Sequence, residues 1–234
     1  DSLSQRLPDA SFPHEDLDCH CSANAEQIRR DLHRTFSSEE RFDKGMQTSL
    51  GRILIAYANH QPCVGYVQGM NFLAGLLLLV SGSEREAFLA FVYLMDVKGL
   101  SGIFCDGLPL LKRYKRALLS HMGQTMPDLL EHFGNLHFLP ELYVVPWLMT
   151  LFIRVLPLPL VEAVWDIIIF EGLDSILRIA TGILRACRPI LLCLDDLQGI
   201  AFFFKWIKSS GGIDGEPLQA SCSSEQEQAP LPEE

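Results

Sequence analysis

No apolar stretch of this sequence is long enough to cross a bilayer. The longest, Phe72–Val80, falls far short of the roughly 18 residues that a membrane-spanning helix needs. The sequence also lacks the P-loop pattern of nucleotide-binding proteins and the G-x-S-x-G pattern of hydrolases, and its seven histidines have no partners at the spacing of a catalytic triad. We therefore expect a protein without a transmembrane segment that does not bind nucleotide alone.

Positive charge is also scarce. The chain has 19 Lys and Arg against 29 Asp and Glu, and its formal net charge is −10. This balance offers no basic footprint for a phosphate backbone, so we expect no nucleic-acid partner and favour recognition of another protein. The acidic end of the chain, residues 209–234, is rich in Gly, Ser, Gln and Pro and is predicted to be disordered.

The cysteines do not form a recognisable framework. There are seven, an odd number, and they are widely scattered along the chain. Reduced thiols in a cytosolic protein are the simplest interpretation. Cys19-His20-Cys21 is spaced too closely for the usual zinc hook, and no second pair follows at ligand spacing. No metal site is predicted.

What the sequence does contain is helical periodicity. Ile28, Leu32 and Phe36 recur every four residues and predict one apolar stripe on a first helix that begins near Glu26. A second helix is predicted over 47–59. Further helices are predicted over 84–95, 108–122, 127–138, 145–155, 158–170, 174–187 and 200–209, separated by Gly- and Pro-containing joints such as Arg188-Pro189. Nothing alternates convincingly as a strand, so the fold class is all-α.

Four polar residues near the start of this helical region are candidates for function. Taken alone, Asp31 and Arg34 at i, i+3 would form an exposed ion pair on a helix. Gln68 alone would satisfy backbone groups at the mouth of the apolar helix that follows, a structural task that Asn71 also fits. Because Tyr66 and Gln68 are two apart, they cannot share a helix face, which places their segment in a loop or first turn.

The combination of motifs carries more information than any single residue. Ile28-Arg29-Arg30-Asp31-Leu32-His33-Arg34-Thr35 resembles the I-x-x-D-x-x-R-T motif of the TBC domain family, and Tyr66-Val67-Gln68 resembles its Y-x-Q motif. Trp147 with Phe152, and Val164-Trp165-Asp166 before Phe170-Glu171-Gly172, resemble later conserved segments in the same order. Several separated motifs in order are far less frequent by accident than one short pattern. The resemblance covers roughly residues 26–206.

The sequence departs from the family pattern at two points. Ser37 stands where the family usually has Pro, two positions after the motif Thr, and the family's early helix with Arg and Trp is not evident before Ile28. The missing helix and the absence of an initiator Met are typical of a truncated chain. We predict a lead-in segment over 1–25, a TBC domain over 26–208 and an acidic tail over 209–234. Trp147, Trp165, Asp166 and Arg178 are predicted to pack in the core or to form a buried polar pair.

The resemblance implies a fold and a function. TBC domains are all-helical and V-shaped, with two helical subdomains, and they activate Rab GTPases by supplying an arginine finger and a glutamine finger in trans. By motif position these are Arg34 and Gln68, with Asp31 and Tyr66 in supporting roles. The implied partner is a Rab-family GTPase in its GTP-bound state. GTP and Mg²⁺ belong to that partner, and no cofactor is expected in this chain.

The resemblance also implies a location and leaves alternatives. A Rab GTPase-activating protein is expected to be cytoplasmic and peripheral to the membranes that carry its target, with contact made through the GTPase. An alternative is a catalytically weak TBC module that binds a GTPase or serves as a scaffold. A hydrolase that acts alone through an unrecognised Asp and His site is a third interpretation, although no coherent site can be assembled from the residues.

Overall fold

The computed structural model describes residues 22–209, and all regular secondary structure in this range is helical. The all-α prediction is confirmed. A π-helical turn, Tyr93–Val97, and a 3₁₀ turn, Leu100–Ile103, lie between the fourth and fifth helices. The α-helices are α1 (Ser22–Leu32), α2 (Lys44–His60), α3 (Met70–Ser81), α4 (Glu84–Val92), α5 (Pro109–Thr125), α6 (Pro127–Asn135), α7 (Pro140–Met149), α8 (Leu158–Glu171), α9 (Ser175–Leu191) and α10 (Leu197–Ser209).

Local signals explain where several helices begin. The Asp43 carboxylate accepts a hydrogen bond from the Met46 backbone N–H at 2.8 Å and caps α2. Ser83 caps α4 in the same way through the N–H of Glu86. Helices α5, α6 and α7 each begin with Pro, whose fixed φ and missing N–H suit the first helical position.

The first helix differs from its prediction at both ends. It begins at Ser22, four residues before the expected start, and ends at Leu32 rather than continuing to Phe36. Phe36 has a φ of 49°, because the chain tightens into turns in which the Thr35 N–H donates to the Leu32 carbonyl at 3.1 Å. The predicted helical stripe through Phe36 is therefore wrong. Cys19–Cys21 and the acidic tail beyond Ser209 lie outside the described residues.

Two later predictions are also wrong. A helix was expected over 145–155, but α7 begins at Pro140, and Leu151 and Phe152 have positive φ angles of 41° and 67° that end the helical path. A joint was expected at Arg188-Pro189, but α9 continues to Leu191. Pro189 removes only its own N–H bond close to the helix end, and the buried stripe of α9 continues past it to Leu191.

The helices pack in two groups. In the first, α2 packs on α1, α3 and α4, and α3 packs on α4. In the second, α5 packs on α6, α7 and α9, while α8 packs on α9. The Leu100–Ile103 turn contacts α5 and joins the groups. None of the helices between residues 22 and 209 could span a bilayer.

Candidate functional site

Arg34 lies in the turn that follows α1, with about half of its side chain exposed (49%). One Nη atom of its guanidinium donates to Oδ1 of Asp31, whose side chain is only 3% exposed. The predicted ion pair is present, but its predicted exposure is wrong for Asp31, which is buried. Arg34 is exposed as predicted, and its other N–H groups can face a partner. A planar fork held on one side by a carboxylate loses little further freedom when the other side binds.

The same carboxylate reaches the second motif. Oδ2 of Asp31 accepts a hydrogen bond from the Tyr66 hydroxyl at 2.6 Å. Burial raises the pKa of Tyr66 far above its usual value, and the hydrogen bond to Asp31 raises it further. Tyr66 therefore stays a neutral donor at any working pH. One buried carboxylate thus connects Arg34 to the Tyr66-Val67-Gln68 segment.

A second set of hydrogen bonds joins the same two segments. The Thr35 hydroxyl donates to the Asp31 carbonyl at 2.7 Å and accepts from the Asn71 side-chain amide at 2.7 Å. The Asn71 side-chain oxygen accepts from the Gly69 N–H at 3.0 Å. This confirms the structural task predicted for Asn71. Because these groups are buried and mutually satisfied, they hold the two segments in one register.

Gln68 is presented differently from its neighbours. It lies in the turn just before α3, as predicted, and its side chain is exposed while Tyr66 is buried. Its amide makes no hydrogen bond to another residue of the described range. The amide therefore keeps both a donor and an acceptor for a partner.

The backbone beside Gln68 approaches another segment closely. Gly69 has a φ of 114°, and a Cβ placed there would lie 2.8 Å from the Met149 carbonyl oxygen at the end of α7. Gly75, in α3, faces Phe36, since a Cβ there would lie 3.0 Å from the Phe36 ring. These two glycines let the Gln68 turn and the Arg34 turn pack against the rest of the molecule.

The sequence model of the Rab-GTPase-TBC domain matches residues 5–192. The chain belongs to the TBC domain family. The match begins within the segment predicted as a lead-in, and the proposed domain boundaries remain predictions.

Curated relatives of this TBC chain agree with the assignment. It is 36% identical over 185 residues to TBC1 domain family member 12 of Xenopus tropicalis, covering 78% of this chain and 27% of that protein. It is 35% identical over 180 residues to the Rab GTPase-activating protein eat-17 of Caenorhabditis elegans, covering 76% and 20%. The chain therefore spans about a quarter of the length of the relatives it matches.

Solved structures share the fold. The Chlamydomonas flagellar RabGAP TBC domain has a TM-score of 0.70 at 26% identity, covering 79% of this chain and 61% of that one. The Ypt/Rab-GAP domain of Gyp1p has a TM-score of 0.68 at 22% identity, covering 80% and 67%, which shows the fold alone.

The close contact at Gly69 gives a stability prediction for this TBC domain. Gly69→Ala should lower the free energy of unfolding by on the order of 3 kcal/mol, because it combines a strained φ with a clash against backbone. Gly82→Ala is the matched control, since Gly82 has a φ of 65° but nothing within 4 Å of an added Cβ. Thermal unfolding followed by circular dichroism compares the two. Equal melting temperatures would show that the Met149 contact is unimportant.

The structure also reveals a groove that sequence reasoning missed. Its volume is about 720 Å³, and it lies between the two groups of helices beside Arg34. Phe36 and Phe72, with ring centroids 6.0 Å apart, line one side, while Trp147 and Phe204, 5.3 Å apart, line the other. No local signal could have found it, because its walls come from segments far apart in the sequence.

The later family motifs have structural roles. Trp147 and Trp165 are buried, and the Trp165 indole N–H donates to the Leu151 carbonyl at 3.0 Å. The predicted core role is confirmed for both. The predicted buried polar pair is wrong, because Asp166 is exposed and Arg178 pairs with Glu171 on the surface. Asp166 and Arg178 lie among apolar residues in the sequence, but they face solvent because no other helix covers them.

Proposed function

We propose that this chain is a GTPase-activating domain that accelerates GTP hydrolysis by a Rab-family small GTPase. The observation that carries the proposal is the Asp31 carboxylate, which binds Arg34 of the first motif and Tyr66 of the second. Through it, two motifs separated by more than thirty residues become one surface with an exposed Arg and an exposed Gln. The printed name of the nematode relative, a Rab GTPase-activating protein, supports the same activity.

Arg34 is proposed to act on the transferred phosphate. Phosphoryl transfer passes through a loose transition state in which charge spreads over the phosphate oxygens and the leaving oxygen. A permanently charged guanidinium stabilises that charge, and its planar fork binds two oxygens at once. Arg34 has this fork half exposed and held from behind by Asp31. Asp31 is therefore a positioning residue, and Tyr66 positions it in turn.

Gln68 is proposed to orient the attacking water. An amide donates to one atom and accepts from another, so it can align a water molecule between itself and the phosphate. Gln68 is exposed next to a turn whose backbone is held by Asn71. A side chain on a fixed turn aligns water better than one on a mobile loop.

The remaining parts of the reaction belong to the partner. GTP and Mg²⁺ are proposed to be bound by the Rab GTPase in its GTP-bound state, and this chain supplies no cofactor of its own. We propose that it works in the cytoplasm beside the endomembranes that carry the Rab, with membrane contact made through the GTPase. No nucleic-acid partner is proposed.

A panel experiment tests the function. Phosphate release from purified Rab GTPases loaded with GTP is measured with and without the full chain in catalytic amounts. At least one Rab should be accelerated by on the order of 10³-fold or more, as expected for a finger-type activator. Binding without acceleration on every Rab would instead indicate the scaffold alternative. Phosphate release from GTP without any Rab would indicate a hydrolase acting alone.

A further inference from the structure

The groove beside Arg34 is positively charged. No Asp or Glu lines the groove, whereas four of its lining residues are cationic: Arg34, Arg154, Lys205 and Lys208. Arg34 already has Asp31 as a partner. Among the described residues, no carboxylate lies within 4.0 Å of Arg154, Lys205 or Lys208. The groove therefore combines aromatic walls with uncompensated positive charge.

The contacts of these cations show that the charge is crowded. The Arg154 guanidinium lies over the Phe72 ring, 5.7 Å from its centroid. The Lys208 ammonium donates to the Ile153 carbonyl. Desolvation lowers the pKa of Lys208, and the neighbouring Arg154 charge lowers it further. An anion that enters the groove would relieve this repulsion.

An anionic segment leaves from the wall of the groove itself. Helix α10 carries Lys205 and Lys208 and ends at Ser209. The segment 211–234 then contains no Lys or Arg, and its six carboxylates belong to Asp214, Glu216, Glu225, Glu227, Glu233 and Glu234. Asp214 is the carboxylate nearest to Ser209 in sequence, and an extended chain at about 3.3 Å per residue would let it reach roughly 16 Å from Ser209. Tethering on this scale gives effective concentrations on the order of millimolar.

We propose that the groove beside Arg34 binds the acidic segment 211–234 of the same chain. Asp214 and Glu216 match the cationic lining, while Ile213 and Leu218 beside them suit the aromatic walls. Residues 1–21 are also acidic, with five carboxylates against Arg6, but residues 5–21 lie within the family match, whereas 211–234 lies outside it and has six carboxylates and no Lys or Arg. The bound segment covers Arg34 and competes with any partner that must reach it.

Zero-length carbodiimide cross-linking of the full chain tests the contact without any GTPase. Lys208 would cross-link to the segment merely because the two are close in sequence, so the reporting amine is introduced elsewhere in the groove by Arg154→Lys. Arg116→Lys, on the exposed face of α5, is the matched control. Peptide mapping should find links from position 154 to carboxylates of 211–234 at about ten times the yield from position 116. Raised salt should abolish them.

Three results would overturn the proposal: equal yields at the two positions, links from position 154 to residues 1–21, or links that join two copies of the chain. A second measurement rests on the proposed function. The full chain with D214N, E216Q, E225Q, E227Q, E233Q and E234Q should accelerate a responsive Rab severalfold more than the unaltered chain at low salt. Cross-links without this gain would leave the contact established and remove only its effect on activity.

Discussion

Arg34→Ala is expected to reduce the acceleration of GTP hydrolysis on a responsive Rab by about 10³- to 10⁵-fold, or about 4 to 7 kcal/mol of transition-state stabilisation. The loss follows because the Arg34 guanidinium is exposed and is held by Asp31, which in turn binds Tyr66 of the second motif. Single-turnover phosphate release at saturating domain concentration measures it. The effect should fall on the rate of hydrolysis more than on the concentration needed for half saturation.

Two variants control for this result. Arg30→Ala removes an exposed Arg one turn earlier, paired with Glu26 on α1, and should leave the acceleration nearly unchanged. Arg34→Lys keeps a positive charge beside Asp31 but loses the fork, and most of the acceleration should still be lost. Because Asp31 is buried, thermal unfolding of each variant confirms that the fold persists. Near-normal activity of a folded Arg34→Ala protein would remove Arg34 from the mechanism.

Gln68→Ala is expected to lower the same rate by on the order of 10²-fold or more, since removing one preorganised hydrogen-bonding group at a reacting centre costs about that much. The fold should be unaffected, because the Gln68 side chain is exposed and makes no hydrogen bond to other described residues. The neighbouring turn keeps its Gly69–Asn71 bond in the variant. The measurement is the hydrolysis rate on the Rab that responds most strongly to the unaltered chain.

The controls for Gln68 separate geometry from chemistry. Gln68→Glu keeps the length but replaces the amide donor with a carboxylate oxygen, so activity should still fall. Gln124→Ala removes an exposed Gln near the end of α5 and should have no effect. If Gln68→Ala and Arg34→Ala were both folded and nearly fully active, the in-trans finger mechanism would be excluded, whatever the chain binds.

Sequence patterns predicted the helical class and most helix positions because apolar periodicity is a local property. The predicted second helix, 47–59, lies within α2 (Lys44–His60), and the helix predicted over 108–122 lies close to α5 (Pro109–Thr125). One error falls where the chain makes contacts that a single helix cannot show. Phe36 leaves the helical path at a positive φ, and its ring packs against Phe42 and Phe72, with centroids 5.4 and 6.0 Å away.

The sequence by itself determined the family, the order of the motifs and the residues on which the proposed chemistry rests, since these depend on spacing along the chain. Only the tertiary structure decided how they combine. It buried Asp31, joined it to Arg34 and Tyr66, and placed Gly69 against Met149. It also brought Arg154 and α10 to the groove beside Arg34. Such contacts link distant segments, and no spacing within one segment encodes them.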